Sequence, residues 1–444
     1  MTALTYGAAL DALAERGRFG IRLGLGRTRA LLRELGDPHL AVRGALVAGT
    51  NGKGSVLALA GAALEAAGYR VGTTPKPHLV TYRERLHIDG RPVDAVTFAR
   101  LVGMVLPAAE RVARRLGEPT EFELLTAIVF RWFAEQRPDV ALVEVGLGGR
   151  LDATHAWDGG VAVITNVALD HTDRLGPTIE SIAREKAAII ERGDRAVTGA
   201  SGSALSIVRR RARRLDVPLT EVEPAPLVGW DRDAIEVALP RLGRTRIGLR
   251  GRHQAANVAV ADALLDALAA ARTATTPPDA RRIGYGRAAW PGRLELVEHG
   301  GREVMLDGAH NPAGAEALAV ALDDLRPFLA AGPLTFVMAA MSDKDVAGVV
   351  AALAGASGLT GGRVVCTTLE VPRALPADEL AAIWAAHAPD VATETVSTVD
   401  AALDRALATG PGTIVVAGSL YLVGAVRARI VDDPSLRDPE KAGP

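Results

Sequence analysis

The 444 residues carry 51 Lys and Arg against 52 Asp and Glu, so the net charge of −1 provides no global field for nucleic acid or an anionic membrane. Hydrophobic residues make up 48% and charged residues 23%, the balance of a globular chain long enough for two domains; aromatics, at 4%, are too few for a platform stacking single strands. One cysteine, Cys366 in RVVCTTL, excludes an internal disulfide, and there is neither a basic-then-apolar leader nor an apolar run of about 18 residues, so the chain reads as cytoplasmic.

Helical patterning over Leu4–Arg16, a Gly-broken turn and a second helix ending at Leu35 lead to ALVAGTNGKGSVLALAGAALEAAG, Ala45 to Gly68. A short apolar strand there meets the glycine turn Gly49-Thr50-Asn51-Gly52-Lys53-Gly54-Ser55, and an apolar-periodic helix follows. Strand, glycine turn and helix form a phosphate site: backbone N–H groups face the anion, Lys53 adds a mobile charge, and Ser55 offers a hydroxyl to Mg²⁺. The spacing departs from G-x-x-x-x-G-K-[ST], with Val47 at the first glycine and Gly54 between Lys53 and Ser55.

YRVGTTPKPHL reads as a short strand and a loop with Pro75 and Pro77, and HIDGRPV as a hairpin turning on Asp89-Gly90. Helices are expected over Val96–Leu116 and Glu121–Gln136. DVALVEVG and GVAVITNV are continuous apolar strands of a parallel sheet, and each runs into polar residues where such a sheet places ligands. A helix then runs toward a stop at Gly193, followed by a strand at 195–199, a basic helix whose arginines 209–214 form a solvated face, a hairpin over 234–250 and an Ala-rich helix over 253–271. Breaks at Thr273–Pro278 and Pro291-Gly292 place the boundary, giving units 1–290 and 291–444. Strand–helix alternation restarts beyond it, and the tail DDPSLRDPEKAGP reads as frayed. The fold class is thus α/β, a P-loop parallel-sheet ATPase domain followed by a smaller Rossmann-like α/β domain.

Glu144 and His171 lie at strand ends on the P-loop's edge, and with Ser55 they form an oxygen/nitrogen set for Mg²⁺, with Mn²⁺ tolerated because of the imidazole. The alternatives are a Glu144–Arg150 pair and a His171 that only bonds backbone. Lys186, mid-helix in AREKAAII, reads on composition alone as a snorkelling lysine. LDGAHNP brings Asp307, His310 and Asn311 to a strand end, and SDKD and GSLYLVG occupy equivalent ends.

AGTNGKGS, PHLVTYRERLHIDG, TEFELLT, EVGLGGRLDAT, DHTDRLG, IAREKA, GRHQAANVAVA, PGRLE, LDGAHNP, SDKD and GSLYLVG, in that order, resemble the folylpolyglutamate synthase/dihydrofolate synthase family of the Mur ligase superfamily. The resemblance implies an ATP-dependent amide ligase joining L-glutamate to dihydropteroate and/or a (poly)glutamylated tetrahydrofolate through an acyl phosphate, and it implies a monomer. It places ATP on Thr50, Asn51, Gly52, Lys53, Gly54 and Ser55, with Asn257, Arg293 and Asp307, and divalent metal on Ser55, Glu144 and His171. Lys186 matches the family's carbamylated lysine, which reverses the composition-only reading. His310 and Ser419 would lie near glutamate, with Lys53, Lys186 and His310 as the catalytic set. Pterin would lie across Ile21, Arg22, Leu23, Thr120, Glu121, Phe122, Glu123, Leu151, Asp152 and Ala153. Two positions depart from the pattern. Lys76 stands where a metal-holding serine is usual, and is expected to replace a metal's charge or contact a phosphate; Arg22 replaces an acidic residue. A related ligase acting on another carboxylate is the alternative, as is a P-loop kinase or NTPase, against which the second α/β unit argues.

Overall fold

The computed structural model describes residues 4–17, 20 and 22–439. Eight strands form the first sheet: β1 (Gly44–Ala48), β2 (Val71–Thr74), β3 (His87–Ile88), β4 (Arg91–Pro92), β5 (Val140–Glu144), β6 (Gly160–Ile164), β7 (Arg195–Thr198) and β8 (Leu219–Glu221). Their order is β4-β3-β2-β5-β1-β6-β7-β8, parallel from β2 to β8. β1 and β5 are buried at every residue, as strands covered by helices on both faces must be. The Asp89-Gly90 turn has positive φ at both residues and joins antiparallel β3 and β4, as the sequence predicts.

Helices Ala95–Leu116 and Glu121–Gln136 start where their caps dictate, at Asp94, which accepts from Thr97 N, and at Thr120, which forms a capping box with Glu123. The P-loop helix Lys53–Ala66 is apolar on almost every side because Gln254–Ala270 and Pro278–Arg287 pack on it. The second of these helices was not expected. Gly284 makes its close approach possible, since a Cβ there would run into the backbone of Ala62 and Ala63.

Two elements end differently from expectation. The helix carrying Lys186 runs only from Ile179 to Ala187, because Arg211 takes the carbonyls of Ala188 and Ile190 and Asp194 closes a turn on Glu191 N. The tail is not frayed through Asp438. Its carboxylate accepts from Tyr6 Oη at 2.8 Å, Thr81 Oγ1 at 2.7 Å and Arg83 Nε at 3.2 Å, all in the first unit.

A small antiparallel sheet of β9 (Leu227–Trp230), β10 (Ile235–Leu239) and β11 (Gly243–Ile247) follows β8. The last sheet contains β12 (Glu295–His299), β13 (Arg302–Leu306), β14 (Thr335–Met338), β15 (Arg363–Thr367), β16 (Ala392–Val396) and β17 (Ile414–Ala417). Its order is β12-β13-β17-β14-β15-β16, parallel except for the edge strand β12, which the sequence reading missed because its ELVEH is charged and only half-buried. The loops after β13 and β14 meet those after β1 and β6, where Asn311 bonds Asn51 and Lys344 bonds Asp170.

Candidate active site

The glycine turn after β1 is shaped by its neighbours. Gly52 has φ +79°, and a Cβ there would collide with Asn257 Oδ1. At Gly54 a Cβ would lie 2.6 Å from the Trp290 indole nitrogen, so the extra residue in the motif has to be glycine. Thr50 and Asn51 are tied to the end of β6: Thr50 N donates to Asn166 O at 3.1 Å, Asn51 N to Asn166 Oδ1 at 3.0 Å, and Thr165 Oγ1 to Asn51 O at 2.6 Å. Asn166 carries no motif signal; only the fold shows its role.

Lys53 curls over the turn, donating to Gly49 O and Thr50 O at 3.1 Å each, with Glu144 Oε1 3.9 Å away. Burial pushes the Lys53 ammonium down and the Glu144 carboxyl up, although each acts on the other in the opposite sense. Glu144 does not pair with Arg150, which bonds Glu185 at 2.8 Å. Its Oε2 accepts from Lys76 N at 2.9 Å, and Lys76 Nζ donates to the Glu144 carbonyl at 2.5 Å, 5.0 Å from the centre of the Phe122 ring. Burial lowers Lys76 to about 8 against the pull of Asp152 and Glu144. Lys76 thus touches the carboxylate strand rather than the glycine turn.

Lys186 is 5% exposed and its Nζ donates to Gly49 O at 2.8 Å, so it points at the phosphate loop and does not snorkel. Burial, then the Lys53 charge, lowers it to about 7. His171 opens a short helix with φ +50°, a strained conformation for a non-glycine residue at a site. Burial lowers the pKa of its imidazole against the pull of Asp170, and Nε2 accepts from Lys344 Nζ at 3.2 Å. Among the described residues no three His, Cys, Asp or Glu side chains converge. The set expected to hold a metal would therefore consist of the buried Ser55 hydroxyl, Glu144 Oε1, which receives no hydrogen bond among the described residues, and the His171 imidazole. A hard-to-borderline divalent ion suits those donors.

Where the two units meet, Asn51 and Asn311 exchange amide hydrogen bonds at 3.1 and 3.3 Å. Asp170, which no sequence signal singles out, gathers the second unit onto the first. It accepts from Lys344 Nζ at 2.6 Å and Asn311 Nδ2 at 3.1 Å, with His310 Nε2 3.8 Å away. Burial alone would raise its carboxyl, but Lys344, His171 and His310 hold it well below the usual carboxylate range. His310 gives Nδ1 to Gly308 O at 2.7 Å, and burial lowers it to about 4, leaving a neutral ring with Nε2 toward Asp170.

The remaining expected residues divide. Asp307 accepts from Leu294 N and Ala309 N at 2.9 Å and so holds the loop after β13; Asn257 bonds Gln254 one turn back in its own helix, and Ser419 caps Leu420–Ile430. Arg293 donates to Gly292 O at 2.9 Å and acts on both Lys53 and Glu144. Thr120 and Glu123 are spent on the helix cap, and Glu123 also pairs with Arg27 at 3.0 Å. Asp152 caps its own turn and holds Gly146 N and Leu147 N, next to buried Ala153. Arg22 and Leu23 are exposed beside Gly24, whose N–H reaches Leu151 O; Glu121 and Phe122 meet Tyr82 and Lys76. Ile21 lies outside the described residues.

Residues 47–265 match the Mur ligase middle domain and residues 292–420 the Mur ligase glutamate ligase domain. A dihydrofolate synthase/folylpolyglutamate synthase of Bacillus subtilis (strain 168) is 37% identical over 351 residues, 76% of this chain and 80% of its own length. The chain is a member of the folylpolyglutamate synthase/dihydrofolate synthase family of Mur ligases. Among solved structures, Mycobacterium tuberculosis folylpolyglutamate synthase complexed with ADP and AMPPCP superposes with a TM-score of 0.84 at 32% identity, over 96% of this chain and 100% of that one. A bifunctional folylpolyglutamate synthase/dihydrofolate synthase with Mn, AMPPNP and L-glutamate bound gives 0.81 at 30% identity, over 96% and 99%. The chain is accordingly a ligase forming carbon–nitrogen bonds, and among the described residues no helix of this ligase is long and apolar enough to cross a membrane.

Proposed function

We propose that the chain joins L-glutamate to dihydropteroate and/or a (poly)glutamylated tetrahydrofolate, consuming ATP and passing through an acyl phosphate. The observation that carries this is the convergence of Lys53, Glu144 and Lys186 from one unit with His310, Asn311 and Lys344 from the other where the two units meet. Units 1–290 and 291–444 are then the ATP-binding and glutamate ligase domains. A carboxylate oxygen of the acceptor attacks the γ-phosphorus and ADP leaves. The glutamate amine then attacks the acyl carbon, inorganic phosphate leaves, and the amine gives up a proton.

The glycine-turn N–H groups and Lys53 cradle the phosphates and offset charge on the transferring group. Ser55, Glu144 and His171 would hold the Mg²⁺ or Mn²⁺ that travels with the nucleotide, and that ion supplies further charge neutralisation there. With its amine near neutrality, Lys186 can add carbon dioxide, and its carbamate forms part of this reading. Neutral His310 would present Nε2 to the incoming amine as a hydrogen-bond acceptor, and the N-terminus of Leu420–Ile430, capped by Ser419, would take the glutamate carboxylates. The meeting of the two units excludes water, which would hydrolyse the acyl phosphate. Lys76, hydrogen-bonded beside Glu144, supports the charge-replacement reading of that residue over phosphate contact. A cytoplasmic monomer without nucleic-acid or membrane partners completes the proposal, supported by the balanced charge and one buried cysteine.

The test is ADP release with ATP, Mg²⁺ and glutamate, comparing dihydropteroate with tetrahydrofolate. Turnover with either supports the proposal and assigns the acceptor; turnover with neither removes folate as the substrate.

A further inference from the structure

Lys344 belongs to the second unit, in the SDKD turn after β14, yet its ammonium ends inside the first unit's site. The turn is fixed by Ser342 N on Arg373 O at 2.8 Å, Lys344 N on Met341 O at 3.1 Å and Val346 N on Lys344 O at 2.9 Å. Its side chain is 11% exposed and Asp170's is 9%. The Nζ lies 2.6 Å from Asp170 Oδ1 and 3.2 Å from His171 Nε2. An ammonium has no lone pair, so it donates and Nε2 accepts. That accepting lone pair is the one through which His171 would bind the divalent ion of the proposed function.

An ion bound to an imidazole nitrogen sits about 2.1 Å along the lone pair, so it and the Lys344 ammonium would occupy overlapping space as like charges. We propose that Lys344 is a positioning residue of the ligase site whose ammonium and the divalent ion exclude each other from His171 Nε2. Binding of the ion then breaks one of the two contacts by which Lys344 holds the first unit and leaves the other, on Asp170. The second unit thereby senses whether the site is charged with metal. This inference rests on the assignment of His171 to the metal set.

The experiment is a Mn²⁺ titration read by electron paramagnetic resonance, on the full chain with AMPPNP present, for the wild type, Lys344→Met and Lys344→Gln. Both variants remove the competing charge, and Gln keeps a hydrogen-bond donor for Asp170. Both are expected to bind Mn²⁺ roughly tenfold more tightly, the worth of one hydrogen bond to a charged group, while ligase turnover falls. A merely structural role for Lys344 would loosen the site and weaken the ion's binding, so the sign decides. Unchanged or weaker Mn²⁺ binding in both variants, with the wild type binding normally, overturns the inference and leaves the proposed function standing. A wild type that binds no Mn²⁺ with AMPPNP overturns the metal set and the inference together.

Discussion

The side-chain nitrogen of Lys186 donates to the carbonyl of Gly49 across 2.8 Å, which brings a buried amine from a helix 137 residues away to the phosphate turn. Burial holds that amine at about 7, so it becomes nucleophilic toward carbon dioxide as pH rises through that value. In ¹³C-bicarbonate with AMPPNP and Mg²⁺, a carbamate carbon signal is expected to grow between about pH 6 and 8.5, which spans about a unit or more on each side of that value. Lys186→Met is expected to lack it. A wild-type spectrum without that signal at the upper pH would rule out the modification.

Gly54 owes its identity to the Trp290 indole, 2.6 Å from where a Cβ would sit. Gly54→Ala is expected to cost about 1–3 kcal/mol of stability by overpacking and to weaken ATP binding by displacing the turn. Denaturant unfolding and a nucleotide titration check both effects. Adding Trp290→Ala should relieve the stability loss, and a double variant no better than the single would contradict the packing argument.

Lys76 is a buried cation whose burial outweighs the nearby carboxylates, lowering it to about 8. Its charged form is therefore less favourable folded than unfolded, and the associated penalty fades as pH rises past that value. Lys76→Ser is expected to bind a second equivalent of Mn²⁺ with AMPPNP where the wild type binds one. Equal metal counts in the two proteins would remove the charge-replacement reading.

Far from the site, Asp194 is 3% exposed; its Oδ1 has no hydrogen-bond partner among the described residues and its Oδ2 accepts from Glu191 N. Burial, then the charges of Asp158 and Glu191, raises its carboxyl well above the usual range, to about 8. A raised folded value means that the native state keeps a proton the unfolded chain gives up, so this group's contribution falls as pH climbs toward about 8. Asp194→Asn should flatten that slope and stabilise the protein at pH 8 by about 1–3 kcal/mol. Denaturant midpoints at several pH values measure it, and parallel wild-type and variant curves would refute the account.

Local signals carried most of the fold. Asp94 and Thr120 mark their helix starts because a cap is a contact three residues long, and Asp89-Gly90 marks its hairpin for the same reason. The misses depend on distant partners. The helix ending at Ala187 is cut short by Arg211, a residue from the following helix, and the tail is pinned by Tyr6, Thr81 and Arg83 from the other end of the chain. The site follows the same division. The glycine turn, Glu144 and His171 stand out in sequence, whereas Asp170 becomes a hub only because Lys344 and Asn311, 174 and 141 residues away, reach it. Lys186 lies between these cases, since its helix could be read but not the direction of its side chain.

The clasp on Asp438 is one of several attachments of the second unit to the first, which besides the covalent crossing near Pro291-Gly292 include Asn51 with Asn311, Asp170 with Lys344 and Arg252 with Asp324. A body held at several separated points cannot swing as a whole without breaking some of them. Parting His310 and Lys344 from the first unit breaks the contacts on Asn51 and Asp170, while the clasp on Asp438 lies elsewhere and holds. Each turnover would then return the two half-sites to the same register.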